Sequence, residues 1–266
     1  MLEEIKQQKL KEVQERKELF PIKLLEKSTY FETTCVSLKK YVTSPDRSGI
    51  IAEFKRKSPS KGYINKYARV DSITIGYMQA GASALSILTD ERYFGGKPND
   101  LETARKLNYC PILRKDFIID EYQVIESKSM GADAILLIAK LLTPKQIKEL
   151  SGFAKNLGLE VLLETHSKDE VMNNLEADFD LAGINNRNLD TFEVNLENSI
   201  KLAELLPADK TKIAESGIES PEAFKTLRDN GFKGFLIGEY FMRHSNPAEK
   251  CNEFIKQISE KVMSKG

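Results

Sequence analysis

The sequence predicts an α/β protein of one architecture, a (β/α)8 TIM barrel carrying an N-terminal helical extension. Three observations predict it. From residue 50 onward, short apolar runs alternate with amphipathic helical segments, the pattern of parallel strands joined by helices. Eight strand–helix pairs can be read, the number that closes a barrel. The runs are nearly continuous in apolar residues, as in Ala134-Ile135-Leu136-Leu137-Ile138, which suits strands covered on both faces. The competing fold is an open doubly wound sheet. It calls for a Gly-x-Gly-x-x-Gly turn after the first strand, and that pattern is absent. The 266 residues suit one barrel domain spanning 1–266, of which 1–48 form the extension.

Residues 2–19 are dense in Lys, Glu and Gln, with sparse apolar residues at Leu2, Ile5, Leu10, Val13 and Leu19. This predicts an exposed helix with a thin packing stripe, docked on the main body as a lid on one barrel end. Short helices are expected around 22–26 and 36–41, and the turn-rich segment 43–49 leads into the barrel. Strands are expected near 50–55, 83–88, 111–115, 133–138, 159–164, 181–185, 211–215 and 234–238. Helices are expected near 70–80, 98–107, 121–130, 144–157, 168–175, 195–205, 221–230 and 248–263. Local signals fix several boundaries. Thr143-Pro144 places a cap before a first-turn proline. Ser167 with Glu170 predicts a capping box. Ser220-Pro221 opens a helix that Gly231 closes, and Gly81, Gly131 and Gly158 each end a helix just before a strand.

Composition narrows the function classes. Forty basic and forty acidic residues cancel, so no global field favours nucleic acid or an anionic membrane surface. No apolar run approaches the ~18 residues of a membrane span, and the charged N-terminus lacks the apolar core of a signal peptide. A cytoplasmic protein is the expectation. Cys35, Cys110 and Cys251 show neither metal-ligand spacing nor a disulfide framework, so no metal is expected. Two histidines occur. His166 follows a strand and is expected in a solvated loop, and His244 in a surface turn.

Chemistry collects at the strand ends. Side chains alternate along a strand, so Ile51, Glu53 and Lys55 share one face and Ala52 and Phe54 the other. Charges on an inner face are costly unless paired or used. Strand three ends at Lys115, strand five at Glu164, strand six leads into Asn185-Asn186-Arg187, strand seven ends at Glu215-Ser216-Gly217, and strand eight at Gly238-Glu239. In a barrel these ends meet on the C-terminal face, where burial and neighbouring charges tune groups for acid–base work. Ser216-Gly217 and Gly238 put small residues where loops after strands seven and eight bind phosphate, helped by a short helix beginning at Gly238.

These residues also carry a family resemblance. Ile51 to Gly62, running Ile-Ala-Glu-Phe-Lys-Arg-Lys-Ser-Pro-Ser-Lys-Gly, is similar to the strand-one signature of the indole-3-glycerol phosphate synthases. The similarity continues through Ala84 to Asp90, Tyr93-Phe94-Gly95-Gly96, Leu113 to Phe117, Gly183 to Leu189, Ala214 to Ile218, and Phe235 to Gly238. The resemblance implies closure of an indole ring on 1-(2-carboxyphenylamino)-1-deoxyribulose 5-phosphate, with loss of carbon dioxide and water and no cofactor. It implies a catalytic set of Glu53, Lys55, Lys115, Glu164 and Asn185, with Lys115 as general acid and Glu164 as general base. Ser58 and Arg187 would meet polar and anionic substrate groups. Pro59, Phe94, Phe117, Leu136, Leu189 and Leu236 would wall the aromatic ring. Glu215, Ser216, Gly217, Gly238 and Glu239 would complete the substrate site, Glu239 through its N–H with its carboxylate turned away. A phosphorylated small molecule is the expected partner, with the chain a monomer or weak homodimer. Strands seven and eight alone also suit phosphoribosylanthranilate isomerase or another sugar-phosphate isomerase, or a non-catalytic phosphate binder. The strand-one Glu-x-Lys and Lys-Ser-Pro-Ser segments disfavour the first, and two lysines with Glu164 at one mouth disfavour the second.

Overall fold

The computed structural model describes residues 2–59, 61–187 and 193–263. Eight parallel strands form a closed barrel: β1 (Ile50–Phe54), β2 (Ala84–Leu88), β3 (Ile112–Lys115), β4 (Ala134–Ile138), β5 (Glu160–Thr165), β6 (Leu181–Asn185), β7 (Thr211–Glu215) and β8 (Gly234–Ile237). β8 closes on β1 with Ile50 opposite Phe235 and Ala52 opposite Ile237. Every strand boundary lies within one residue of its sequence expectation. The reason is local: each run is apolar and is bounded by turn or capping residues that cannot extend it.

The helices between strands start where their caps predict. Thr143 accepts from the Gln146 N–H while the Gln146 side chain returns to Thr143. Ser220 accepts from the Ala223 N–H. Gly131 ends the helix Glu121–Ser129 with φ +87, a left-handed turn in which a side chain would be strained. One cap differs from expectation. Ser167 accepts from the Glu170 N–H, but the Glu170 carboxylate accepts the N–H of His166 at 2.8 Å and not that of Ser167. The reciprocal half of the box is thus shifted by one residue, and the helix Lys168–Met172 stops short of the expected 175.

The extension comprises α1 (Leu2–Leu19), α2 (Ile22–Leu25) and α3 (Leu38–Thr43). It touches both ends of the barrel. At the start of α3, the hydroxyl of its cap Ser37 and the Lys39 N–H donate to the Glu160 carboxylate at the start of β5. Val42 packs beside Gly234 at the start of β8. α1 lies over the opposite, C-terminal end, where Leu2 and Ile5 wall the central cavity. Its packing stripe corrects the sequence expectation: Ile5, Lys9 and Val13 are buried, whereas Leu10 and Leu19 are exposed. Lys9 is tolerated there because its ammonium sits 2.7 Å from Asp90 and 2.9 Å from Asp116. Burial works against that charge, but Asp116 and Asp90 outweigh it and hold the ammonium protonated. Asp116 in turn meets Arg114 at 3.1 Å, and Arg114 meets Glu126 at 2.7 Å. α1 is therefore tied to the barrel by a buried chain of alternating charges. Among the described residues no helix is long and apolar enough to cross a membrane.

Candidate active site

Period-two alternation sorts the end of β3. Arg114 points outward, donating to Gln123 and Ser127 of the covering helix, so Lys115 points inward. Lys115 Nζ stands 3.2 Å from Glu164 Oε2 and bonds Glu215 Oε2 more closely still. Three strands thus bring one ammonium and two carboxylates together. A glycine makes room for them. Gly183 on β6 pairs with Glu164 in the barrel register, and a side chain there would intrude on Glu215. Two residues further along the same face, Asn185 donates to Glu164 Oε1 at 3.1 Å. On β1, Glu53 Oε1 pairs with Lys55 at 2.8 Å, and Gly238 leaves space for the Glu53 carboxylate.

The electrostatics separate the two carboxylates. Burial alone would drive the Lys115 ammonium down, but Glu215, Glu164 and Glu53 outweigh it and hold it well above its ordinary value. Burial likewise opposes ionisation of Glu164. Lys115, His166 and Asn185 override it and keep that carboxyl below the usual carboxylate range. Glu215 has fewer partners. Burial and the charges of Glu164 and Glu53 push it up to about 7, against the pull of Lys115. The cluster holds one ammonium, one carboxylate held ionised and one carboxyl pushed up to about 7.

Beside this cluster lies an apolar wall. The Phe94 and Phe117 rings face each other at 5.9 Å, and Pro59, Leu136 and Leu236 line the same cavity. Opposite the wall the backbone turns sharply after β7. Ser216 takes φ +66 and Gly217 φ +69, and no other non-glycine residue has a positive φ among the described residues. Two successive left-handed residues form a concave turn whose N–H groups suit an anion. The short helix Glu239–Met242 starts beside it at Gly238, at the end of the neighbouring strand β8, as expected. Asn186 holds the turn by donating to the Ser216 carbonyl at 2.7 Å.

The cavity collects the sequence-predicted residues from all these strand ends: Glu53, Lys55, Ser58, Pro59, Phe94, Lys115, Phe117, Leu136, Glu164, Asn185, Arg187, Glu215, Ser216, Gly217, Leu236, Gly238 and Glu239. Leu189 and Ser60 lie outside the described residues. Two expectations need correction. The Glu239 carboxylate is engaged across the mouth, 2.5 Å from Lys61 and 3.6 Å from Arg187, so it fastens the loop after β1 to the short helix. That loop is also pinned at its base, where Arg56 pairs with Asp100 at 2.5 Å. His166 is not solvated: its side chain is about 10 % exposed, with Nε2 3.2 Å from Glu164. β5 runs to Thr165, so residue 166 continues on the inward face of Glu164; that Glu-x-His spacing was the available signal. Sequence reasoning also missed Leu2, Ile5, Leu88, Ile138 and Tyr240 in the lining.

The closed barrel and its charged mouth define the protein as a (β/α)8-barrel enzyme equipped for acid–base chemistry. Comparisons with known proteins give the particular kind. A sequence model described as Indole-3-glycerol phosphate synthase matches residues 2–254. The indole-3-glycerol phosphate synthase of Bacteroides thetaiotaomicron is 50 % identical over 258 residues, covering 97 % of this chain and 98 % of that one. The one from Caldanaerobacter subterraneus subsp. tengcongensis is 40 % identical over 97 % of this chain and 98 % of its own. The chain belongs to the indole-3-glycerol phosphate synthase family, carboxy-lyases of tryptophan biosynthesis. Among solved structures, thiamine phosphate pyrophosphorylase from Pyrococcus furiosus matches with a TM-score of 0.61 at 16 % identity, covering 85 % of this chain and 99 % of that one. That likeness is one of fold.

Proposed function

We propose that this chain catalyses the family reaction, indole ring closure on 1-(2-carboxyphenylamino)-1-deoxyribulose 5-phosphate, with Lys115 as general acid and Glu164 as general base. The observation that carries the reading is the contact of Lys115 with Glu164, 3.2 Å apart, inside a cavity with an apolar wall on one side and a concave backbone turn on the other. The aromatic ring lies against Phe94, Phe117, Leu136 and Leu236. The phosphate lies at Ser216, Gly217 and Gly238 and on the N–H of Glu239. Lys55, Arg187 and Ser58 meet the substrate carboxylate and hydroxyls.

In the first step the ring carbon bearing the carboxylate attacks the ketone carbon. Negative charge grows on the ketone oxygen, and the Lys115 ammonium stabilises and protonates it. Carbon dioxide then leaves with its bond electrons returning to the ring, which restores aromaticity. Dehydration follows: the Glu164 carboxylate removes a proton from the carbon next to nitrogen, and the hydroxyl departs as water with a proton from an ammonium. Asn185 keeps one Glu164 oxygen turned toward the reacting atoms. Glu53 orients Lys55 through their 2.8 Å pair.

The test follows indole fluorescence on incubation with the open-chain substrate. Lys115→Ala lowers turnover by roughly 10²–10⁴-fold while the protein still melts cooperatively. Undiminished indole formation by Lys115→Ala removes the acid assignment. Conversion of phosphoribosylanthranilate without any indole product replaces the whole reading with an isomerase.

A further inference from the structure

His166 is a titratable side chain at the site for which the scheme above has no use. Its Nε2 stands 3.2 Å from Glu164 Oε1, and its Nδ1 stands 3.6 Å from Glu170 Oε2. Neither ring nitrogen is placed for a hydrogen bond, so these are contacts of charge, and Glu170 fixes the residue through its backbone, its Oε2 accepting the His166 N–H at 2.8 Å. The imidazole is thus set between two carboxylates on consecutive elements. Glu164 is approached from two sides: Lys115 reaches Oε2, while His166 and Asn185 reach Oε1. Behind His166 lies a second, polar cavity in which Lys140, Arg187 and Glu193 are the other charged groups, and Lys115 stands beyond Glu164.

This arrangement addresses a difficulty in the chemistry. Lys115 becomes neutral when it gives its proton to the substrate. Glu164, buried beside it, then loses its main opposite charge. A buried carboxylate without a cation takes up a proton, and a protonated Glu164 cannot act as a base. A second cation on the other oxygen, not consumed in the step, prevents that. Two flanking carboxylates favour the protonated imidazole, consistent with burial being outweighed and His166 lying at about 9.

We propose that His166 is a positioning residue for Glu164: an imidazolium, secured by Glu170, that keeps the carboxylate anionic and oriented while Lys115 is neutral. No bond forms at His166 and its proton stays in place. The proposal rests on the reading of Glu164 as the base.

The experiment measures kcat and KM against pH for His166→Gln and Glu170→Gln, with Glu164→Gln as control. The most acidic ascending limb of the kcat profile, below that of Glu215, reports ionisation of the base. Loss of one nearby cation raises a carboxyl, so in His166→Gln the limb moves up by about one unit, with KM little changed. Glu170→Gln moves it the same way by less, because the imidazole remains but is less firmly protonated. Limbs that stay in place in both variants overturn the proposal, as does a loss of rate expressed in KM alone. If His166→Gln does not fold cooperatively, Glu170→Gln decides. Wild-type turnover by Glu164→Gln rejects the base reading itself. An inactive Glu164→Gln with unmoved limbs in the other two variants rejects the role of His166 and leaves Glu164 as the base.

Discussion

Gly183 stands directly opposite the Glu215 carboxylate, so that any side chain at 183 would occupy the space Glu215 uses to reach Lys115. The same relationship recurs two strands further round the barrel, where a Cβ at Gly238 would come within 2.9 Å of Glu53 Cβ. Glycine at these inward positions is a question of space. The carboxylates are long enough to meet the lysines only if the neighbouring strand offers nothing there.

Gly183→Ala therefore acts on the chemistry more than on the fold. The added methyl also comes within 3.2 Å of Leu162 Cδ1, an overpacking that costs about 1–3 kcal/mol. Displacement of Glu215 by about an ångström lowers kcat by roughly 10²-fold. Gly152→Ala is the control. It lies in the helix Pro144–Asn156 with nothing near its Cβ direction, so it adds about 0.5–1 kcal/mol of stability and leaves kcat alone. Urea unfolding and steady-state kinetics on both variants check the pair. Equal losses of stability and rate in the two would refute the argument from space.

Gly217→Ala should reveal the anion site. Its φ of +69 costs an alanine about 1–2 kcal/mol, and the methyl would collide with the Val194 side chain. The turn at Ser216-Gly217 opens, KM rises by tenfold or more (about 1.4 kcal/mol), and kcat changes less. Inhibition by inorganic phosphate weakens in parallel. A variant with unchanged KM and unchanged phosphate inhibition places the phosphate elsewhere.

Lys9→Met keeps the aliphatic stem and deletes the charge between Asp90 and Asp116. Breaking a buried ion pair on one side costs about 3–5 kcal/mol, read by urea unfolding. Because Leu2 and Ile5 wall the cavity, KM rises with the loss of α1 docking. Adding Asp90→Asn recovers part of the stability, since Asp116 retains Arg114. If the double variant is no better than the single one, the ion pairs are not what secures α1.

The pH dependence of stability isolates His166. Its folded value of about 9 lies above the ordinary 6.5, so the folded chain binds more protons than the unfolded chain between those values. The contribution is complete below about pH 6.5 and is lost as pH rises through about 9, a change on the order of 3 kcal/mol. His166→Gln removes that slope, so wild type and variant converge in stability toward alkaline pH. Glu215 adds a falling slope at lower pH in both proteins and cancels in the difference. A stability gap that stays constant from pH 6 to pH 9 contradicts the imidazolium.

Strands and caps were legible because their causes are local. Apolar runs, Thr143-Pro144 and Ser220-Pro221 act over a few residues. The candidate cluster was legible through recurrence, since a single charge at a strand end reads as a loop charge but charges at the ends of β1, β3, β5 and β7 converge on one mouth. What escaped notice depends on residues far apart in the chain. Lys9 looks like any surface lysine until Asp90 and Asp116 arrive beside it. Leu10 and Leu19 looked like packing residues, but the turn of α1 that meets the barrel carries Ile5, Lys9 and Val13. His166 looked like a loop residue because the extra residue of β5 was not foreseen. Nothing adjacent to Ser216 announces its left-handed backbone, which is imposed by the turn around it.

The two-ended grip of the extension bears on the order of assembly. α1 and α3 are synthesised before Asp90, Asp116, Glu160 and Gly234, the positions that receive them. Gly234 itself begins β8, and the ring of strands is continuous only once β8 has joined β1. Contacts of such wide sequence separation form late. The segment made ahead of the barrel is thus the last to settle, and amide exchange in residues 2–43 should outpace that in β4 and β5. A nascent chain lacking β8 would carry both helices as unplaced amphipathic arms, exposing Ile5, Val13, Leu38 and Val42 to chaperones until release.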